Sequence, residues 1–84
     1  MNEAALEKLF FKTSEELLSY SDSFESRSRD RFITYVKEIN DLGSHSEYDS
    51  MFHADRILLN NKSRRLSDFI VGSYSTFPWK LLYS

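Results

Sequence analysis

The chain has no cysteine, only two glycines (Gly43 and Gly72), one proline (Pro78) and no long apolar run. Without thiols there can be no disulfide framework, and two histidines without a thiolate make a structural zinc site improbable. Neither glycine lies in a phosphate-cradling loop, and no serine sits in a Gly-x-Ser-x-Gly elbow. The apolar runs Ile57-Leu58-Leu59 and Phe69-Ile70-Val71 are far shorter than the roughly 20 residues a membrane-spanning helix needs. The start, Met1-Asn2-Glu3-Ala4-Ala5, lacks the basic and apolar regions of a secretory signal. Together these absences give the expectation of a cytoplasmic protein that is not an enzyme and holds no metal or cofactor.

What the sequence does contain is ring surface: seven phenylalanines, five tyrosines and one tryptophan among 84 residues. Each ring removes a large apolar area from water when covered, so the composition points to a tightly packed helical module or an aromatic docking face. A chain this short builds one domain, taken here as residues 1–84, whose core alone supplies marginal stability. Aromatic packing or self-association must supply the remainder. The net charge of −2 does not favour bulk attraction to nucleic acid, yet it hides an asymmetry. Residues 1–25 carry two lysines against six acids, whereas residues 62–84 carry four bases against Asp68 alone.

Hydrophobic spacing is helical throughout. In residues 3–20, Ala5, Leu6, Leu9, Phe10, Leu17 and Leu18 lie near one stripe, with Thr13-Ser14-Glu15-Glu16 offering a capping box at which the helix restarts. Ser19 to Ser23 reads as a turn, with Asp22-Ser23-Phe24-Glu25 as a second capping box. A helix from about Glu25 to Leu42 presents Phe32, Ile33, Tyr35, Val36 and Ile39, and Gly43 suits its end. Residues 46–73 form one long helix or two; the spacing slightly favours a split in which Asn60-Asn61 ends one helix and Ser63 begins the next. Against the split, Arg64 and Arg65 would then stand in a first turn, where the macrodipole disfavours positive charge. Pro78 can open a short terminal helix. No repeat and no two-residue hairpin turn is evident.

The expected fold is therefore all-α, a small bundle of three to five helices with an aromatic C-terminal segment. Its expected core is Leu6, Leu9, Phe10, Leu17, Phe32, Val36, Ile39, Phe52, Leu58, Phe69 and Ile70. His45 and His53 have no metal-ligand spacing, and the adjacent acids Glu15 and Glu16 project about 100° apart on a helix and do not face each other. Arg64-Arg65-Leu66-Ser67 resembles a kinase target and Asn61-Lys62-Ser63 a glycosylation sequon, but both patterns are short enough to arise by chance.

Two surfaces remain as candidate sites. Tyr74, Phe77, Trp79 and Tyr83 are residue types that anchor protein interfaces, and they could equally close the core or be shared across a dimer's two-fold axis. Arg27 and Arg31, with Arg29 between them, and Lys62, Arg64 and Arg65 could contact phosphates, with Asn60 and Asn61 beside them able to read bases. The leading expectation is a small regulator or inhibitor that binds a partner protein stoichiometrically, a profile that an accessory factor of a phage or mobile element fits. The alternatives are a small DNA-associated transcriptional modulator using the Arg/Lys cluster and a helical scaffold subunit of a larger assembly.

Overall fold

A computed structural model describes residues 8–9, 12–73 and 77. Every regular element among them is helical: α1 (Ser14–Leu18), a 3₁₀ turn (Ser19–Ser23), α2 (Ser26–Leu42), a second 3₁₀ turn (His45–Ser50) and α3 (His53–Gly72). The protein is a small all-α bundle, and none of these helices is long and apolar enough to cross a membrane.

The chain restarts its helix where the capping box stands. The Thr13 hydroxyl accepts the Glu16 N–H at 3.2 Å, and the Glu16 carboxylate accepts the Thr13 N–H at 3.4 Å, which satisfies two backbone donors that a helix start leaves open. The second expected box does not form. Asp22 is taken into the 3₁₀ turn, and α2 starts at Ser26 with Glu25 as an N-cap that makes no side-chain capping bond. A guanidinium stabilises this junction instead: Arg29 donates to the carbonyls of Ser21 and Phe24 at 3.3 and 3.2 Å.

The α2 helix buries Phe32, Val36 and Ile39, whose spacing of four and three keeps them on one face. It stops at Gly43, whose φ of +125° lies in the region that side chains avoid. The α3 helix then runs unbroken through Asn60, Asn61 and Ser63, correcting the expected split. The reason is that these polar side chains are used sideways. Ser63 is buried and its hydroxyl shares a 3.0 Å hydrogen bond with His45 Nε2, while the Asn60 amide donates to the Tyr48 hydroxyl at 3.0 Å. Both bonds tie α3 to the preceding 3₁₀ turn, and Arg64 and Arg65 stand mid-helix, clear of the positive end of the dipole.

Helices α2 and α3 pack antiparallel. Phe32 and Tyr35 of α2 meet Phe69 near the end of α3, and Glu38 further along α2 meets Lys62 earlier in α3. The core is Leu9, Leu17, Tyr20, Phe24, Phe32, Val36, Ile39, Leu59, Leu66, Ile70 and Phe77. Phe24 is its hub, with ring centroids 4.9 Å from Phe32, 5.5 Å from Phe69 and 6.0 Å from Phe77. Such offset and tilted ring pairs add to the stabilisation of simple burial. Two expected core members are on the surface, Phe52 at 82% exposure and Leu58 at 44%. Phe52 lies at the N-cap of α3, and Leu58 is one residue before the buried Leu59, a step of about 100° around the helix. Phe69 is partly buried against the core. Leu6 and Phe10 lie outside the described residues.

The two 3₁₀ turns and the helices that follow them share a local arrangement at an offset of 27 positions. Asp22-Ser23 and Asp49-Ser50 occupy matching places in the turns, Arg29 matches Arg56, and buried Phe32, Val36 and Ile39 match buried Leu59, Ser63 and Leu66. The turn closures match as well: Phe24 N–H to Ser21 and Met51 N–H to Tyr48, both 3.2 Å.

Candidate interaction surfaces

Most of the aromatic segment expected to dock a partner, Tyr74, Trp79 and Tyr83, lies outside the described residues. Phe77 is described, and of its two expected roles, closing the core or docking a partner, its position matches the first. Its ring is 4% exposed and sits 5.5 Å from Tyr20 and 6.0 Å from Phe24, so it closes the aromatic core.

The basic candidates divide by role. Arg27 and Arg31 are exposed on α2, and with Glu38 they share one side of that helix, since steps of four and seven return to the same face. Glu38 in turn pairs with Lys62 at 3.2 Å and Arg65 at 3.7 Å across the α2–α3 contact. Four cations, Arg27, Arg31, Lys62 and Arg65, thus lie along one side of the helix pair with a carboxylate among them. Arg64, one position from Arg65, projects elsewhere from α3. Arg29 is spent on the turn carbonyls. Arg56 does the equivalent work in the second unit, donating to the Tyr48 and Asp49 carbonyls at 2.9 and 2.6 Å with its guanidinium 5.4 Å from the centre of the Tyr48 ring.

Polar chemistry is sparse among the described residues. No three His, Asp or Glu side chains gather to hold a metal ion. The His45 and Ser63 contact joins an imidazole to a hydroxyl, and burial holds the imidazole below its ordinary pKa, favouring the neutral ring. Glu16 is likewise held below the usual carboxylate range, first by the Thr13 N–H and then by the Thr13 hydroxyl. A cavity of about 190 Å³ between the Thr13 segment and the end of α2 has Leu17, Val36 and Ile39 as its floor and Ser14, Asn40 and His45 on its rim. That is smaller than the roughly 300–1,000 Å³ typical of small-molecule sites. Beside it, a groove of about 560 Å³ bordered by Glu15, Leu18 and Lys37 is open to solvent, and Ser14 on its wall donates to the Asn40 side-chain oxygen at 2.8 Å.

Large apolar side chains stand out on α3 and at its N-cap: Phe52, Ile57, Leu58 and Val71 are all exposed. Phe52 is the most informative, because it occupies the N-cap of α3 without supplying a side-chain cap. Ser, Thr, Asp or Asn there would bond a free N–H of the first turn, whereas phenylalanine provides no acceptor. The residue therefore serves neither core nor cap. Sequence reasoning placed it in the core because its distance from Leu59 fits a helical stripe. The signal that could have corrected this is the recurrence of Asp-Ser and Arg, which aligns Phe52 with the N-cap residue Glu25.

No protein-family description matches the sequence, and no curated protein or solved structure resembles it significantly, so the functional reading rests on the residues themselves.

Proposed function

We propose that this is a small cytoplasmic regulatory or inhibitory protein that acts by stoichiometric contact with a partner protein. The observation that carries the reading is Phe52, a large ring 82% exposed at a helix N-cap that a polar residue would stabilise. A residue that costs stability where it stands, and whose ring is available for burial, is the kind on which interface energy concentrates. The aromatic segment with Tyr74, Trp79 and Tyr83 extends the same proposal, and an accessory factor of a phage or mobile element remains the profile it fits. The test is to compare capture of partners from a lysate of the native host by the wild type and by Phe52→Ser. A captured protein present at one copy per chain and lost with Phe52→Ser, while the helical circular-dichroism signal is unchanged, supports the reading. Equal capture by the two proteins overturns the role of Phe52.

A second reading, a small DNA-associated transcriptional modulator, is favoured by the alignment of Arg27, Arg31, Lys62 and Arg65 along one side of the α2–α3 pair. Glu38 weighs against it, since it already neutralises part of that charge. Affinity for a duplex that falls steeply with salt, with a smaller slope in Arg27→Ala/Arg31→Ala, would favour this reading over the first. A scaffold subunit of a larger assembly is the third reading, and it shares the contact-only chemistry of the first.

A further inference from the structure

The outward side of α3 carries a second stripe with the spacing of a helix-pairing seam. Leu59, Ser63, Leu66 and Ile70 are buried against the rest of the bundle at steps of four, three and four. Ile57, Asn61, Arg64, Asp68 and Val71 repeat steps of four, three, four and three, displaced by two residues and so rotated by about 200° to the opposite side. All five are exposed, Ile57 and Val71 at 47% each. Alternating steps of three and four define the seam along which two helices interlock. The ion pairs among the described residues are Lys12 with Glu16 and Glu38 with Lys62 and Arg65, so Arg64 and Asp68 enter none of them.

The charges on the seam are complementary to themselves in one orientation. When two α3 helices run antiparallel about a two-fold axis level with Leu66, each Arg64 stands opposite the other copy's Asp68, and each Asn61 stands opposite the other's Val71. Both charges are then paired twice by a single symmetry operation, as an isologous interface requires. A parallel arrangement would set Arg64 against Arg64 and Asp68 against Asp68, which like-charge repulsion disfavours. Asn61 on the seam adds a polar residue of the kind that fixes register at a cost in strength.

We propose that the outer face of α3 is the contact between two copies of this chain, paired antiparallel through Arg64 and Asp68. Its occupant is a second copy because the face supplies both halves of its own charge pattern. Phe52 is not part of this seam, so the pairing does not depend on the partner-binding reading above.

The experiment is mass in solution by light scattering behind size exclusion, over a concentration series up to millimolar protein, on three chains. The wild type should approach twice the monomer mass as concentration rises. Asp68→Arg places two arginines opposite each other and should raise the dimer dissociation constant at least about tenfold. The exchange Arg64→Asp with Asp68→Arg should restore the wild-type constant, because the same pairs form with their signs reversed. All substituted positions are exposed, and circular dichroism checks that the helices persist. A wild type that stays monomeric throughout overturns the proposal and leaves the face to a different protein. A dimer that Asp68→Arg does not weaken, or that the exchange fails to restore, overturns the antiparallel Arg64–Asp68 contact.

Discussion

Arg29 and Arg56 are the same residue used twice: each sends its Nε–H to the carbonyl eight positions earlier, at 3.3 Å to Ser21 and 2.9 Å to Tyr48. In both cases the acceptor belongs to a 3₁₀ turn and the donor to the first turns of the helix that follows. Each of these carbonyls also accepts the N–H that closes its turn, and its second lone pair takes the guanidinium, which reaches one further carbonyl with the same planar group. The junctions therefore hold their angle without a side-chain N-cap, which neither α2 nor α3 has.

This relationship predicts that Arg56→Met destabilises the protein by about 2 kcal/mol, from two lost charge-assisted hydrogen bonds and a lost cation–π contact. Arg56→Lys should recover only part of the loss, because an ammonium cannot present two parallel N–H groups to neighbouring carbonyls. Urea unfolding midpoints of the three proteins check this. A lysine variant as stable as the wild type would mean that charge, not the fork geometry, holds the turn.

Phe52→Ser should move stability and binding in opposite directions. Serine at the N-cap of α3 accepts a first-turn N–H, a gain of about 1 kcal/mol. The midpoint should rise while partner capture falls. A variant that is less stable than the wild type would show that the ring supports the fold despite its exposure.

Gly43→Ala tests the end of α2. Its φ of +125° is costly for any residue with a side chain, and a Cβ would stand 3.3 Å from the Glu47 carboxylate. The expected loss is about 1–3 kcal/mol. Gly72→Ala is the internal comparison, since a Cβ there meets nothing within 4 Å and the residue is helical, so it should be neutral or slightly stabilising.

The sequence revealed the parts of the fold that local rules decide. The Thr13 capping box, the inward stripe of Phe32, Val36 and Ile39, and the glycine at 43 all follow from short-range chemistry, and all are present. The errors fall where a distant partner overrides a local preference. Asn60, Asn61 and Ser63 resemble a helix break until His45 and Tyr48 are known to engage two of them from another element. Phe52 resembles core until the turn before it sets where α3 begins. Phe77 could have closed the core or faced a partner, and ring contacts spanning more than 40 residues of sequence, from Phe32 among others, place it inside. Of the candidate surfaces, the cation pairs could not be sorted without the antiparallel register that brings Glu38 to Lys62.

The His45–Ser63 contact predicts how stability depends on pH. Burial lowers the His45 pKa in the folded protein, so the unfolded chain binds a proton more readily over the interval between the folded value and the ordinary value of about 6.5. Stability therefore rises with pH across that interval. It is fully present above about 6.5 and is lost progressively as pH falls toward the depressed folded value. Unfolding midpoints measured between pH 5 and 8 should decline on the acid side, and His45→Gln should flatten that decline while leaving an amide able to bond Ser63. Ser63→Ala separates the two contributions: it removes the hydrogen bond at a cost of about 1 kcal/mol at pH 8 but retains the buried imidazole and so the acid-side decline. If His45→Gln titrates like the wild type, the decline belongs to another group, and the buried ring is not what couples folding to protons in this interval.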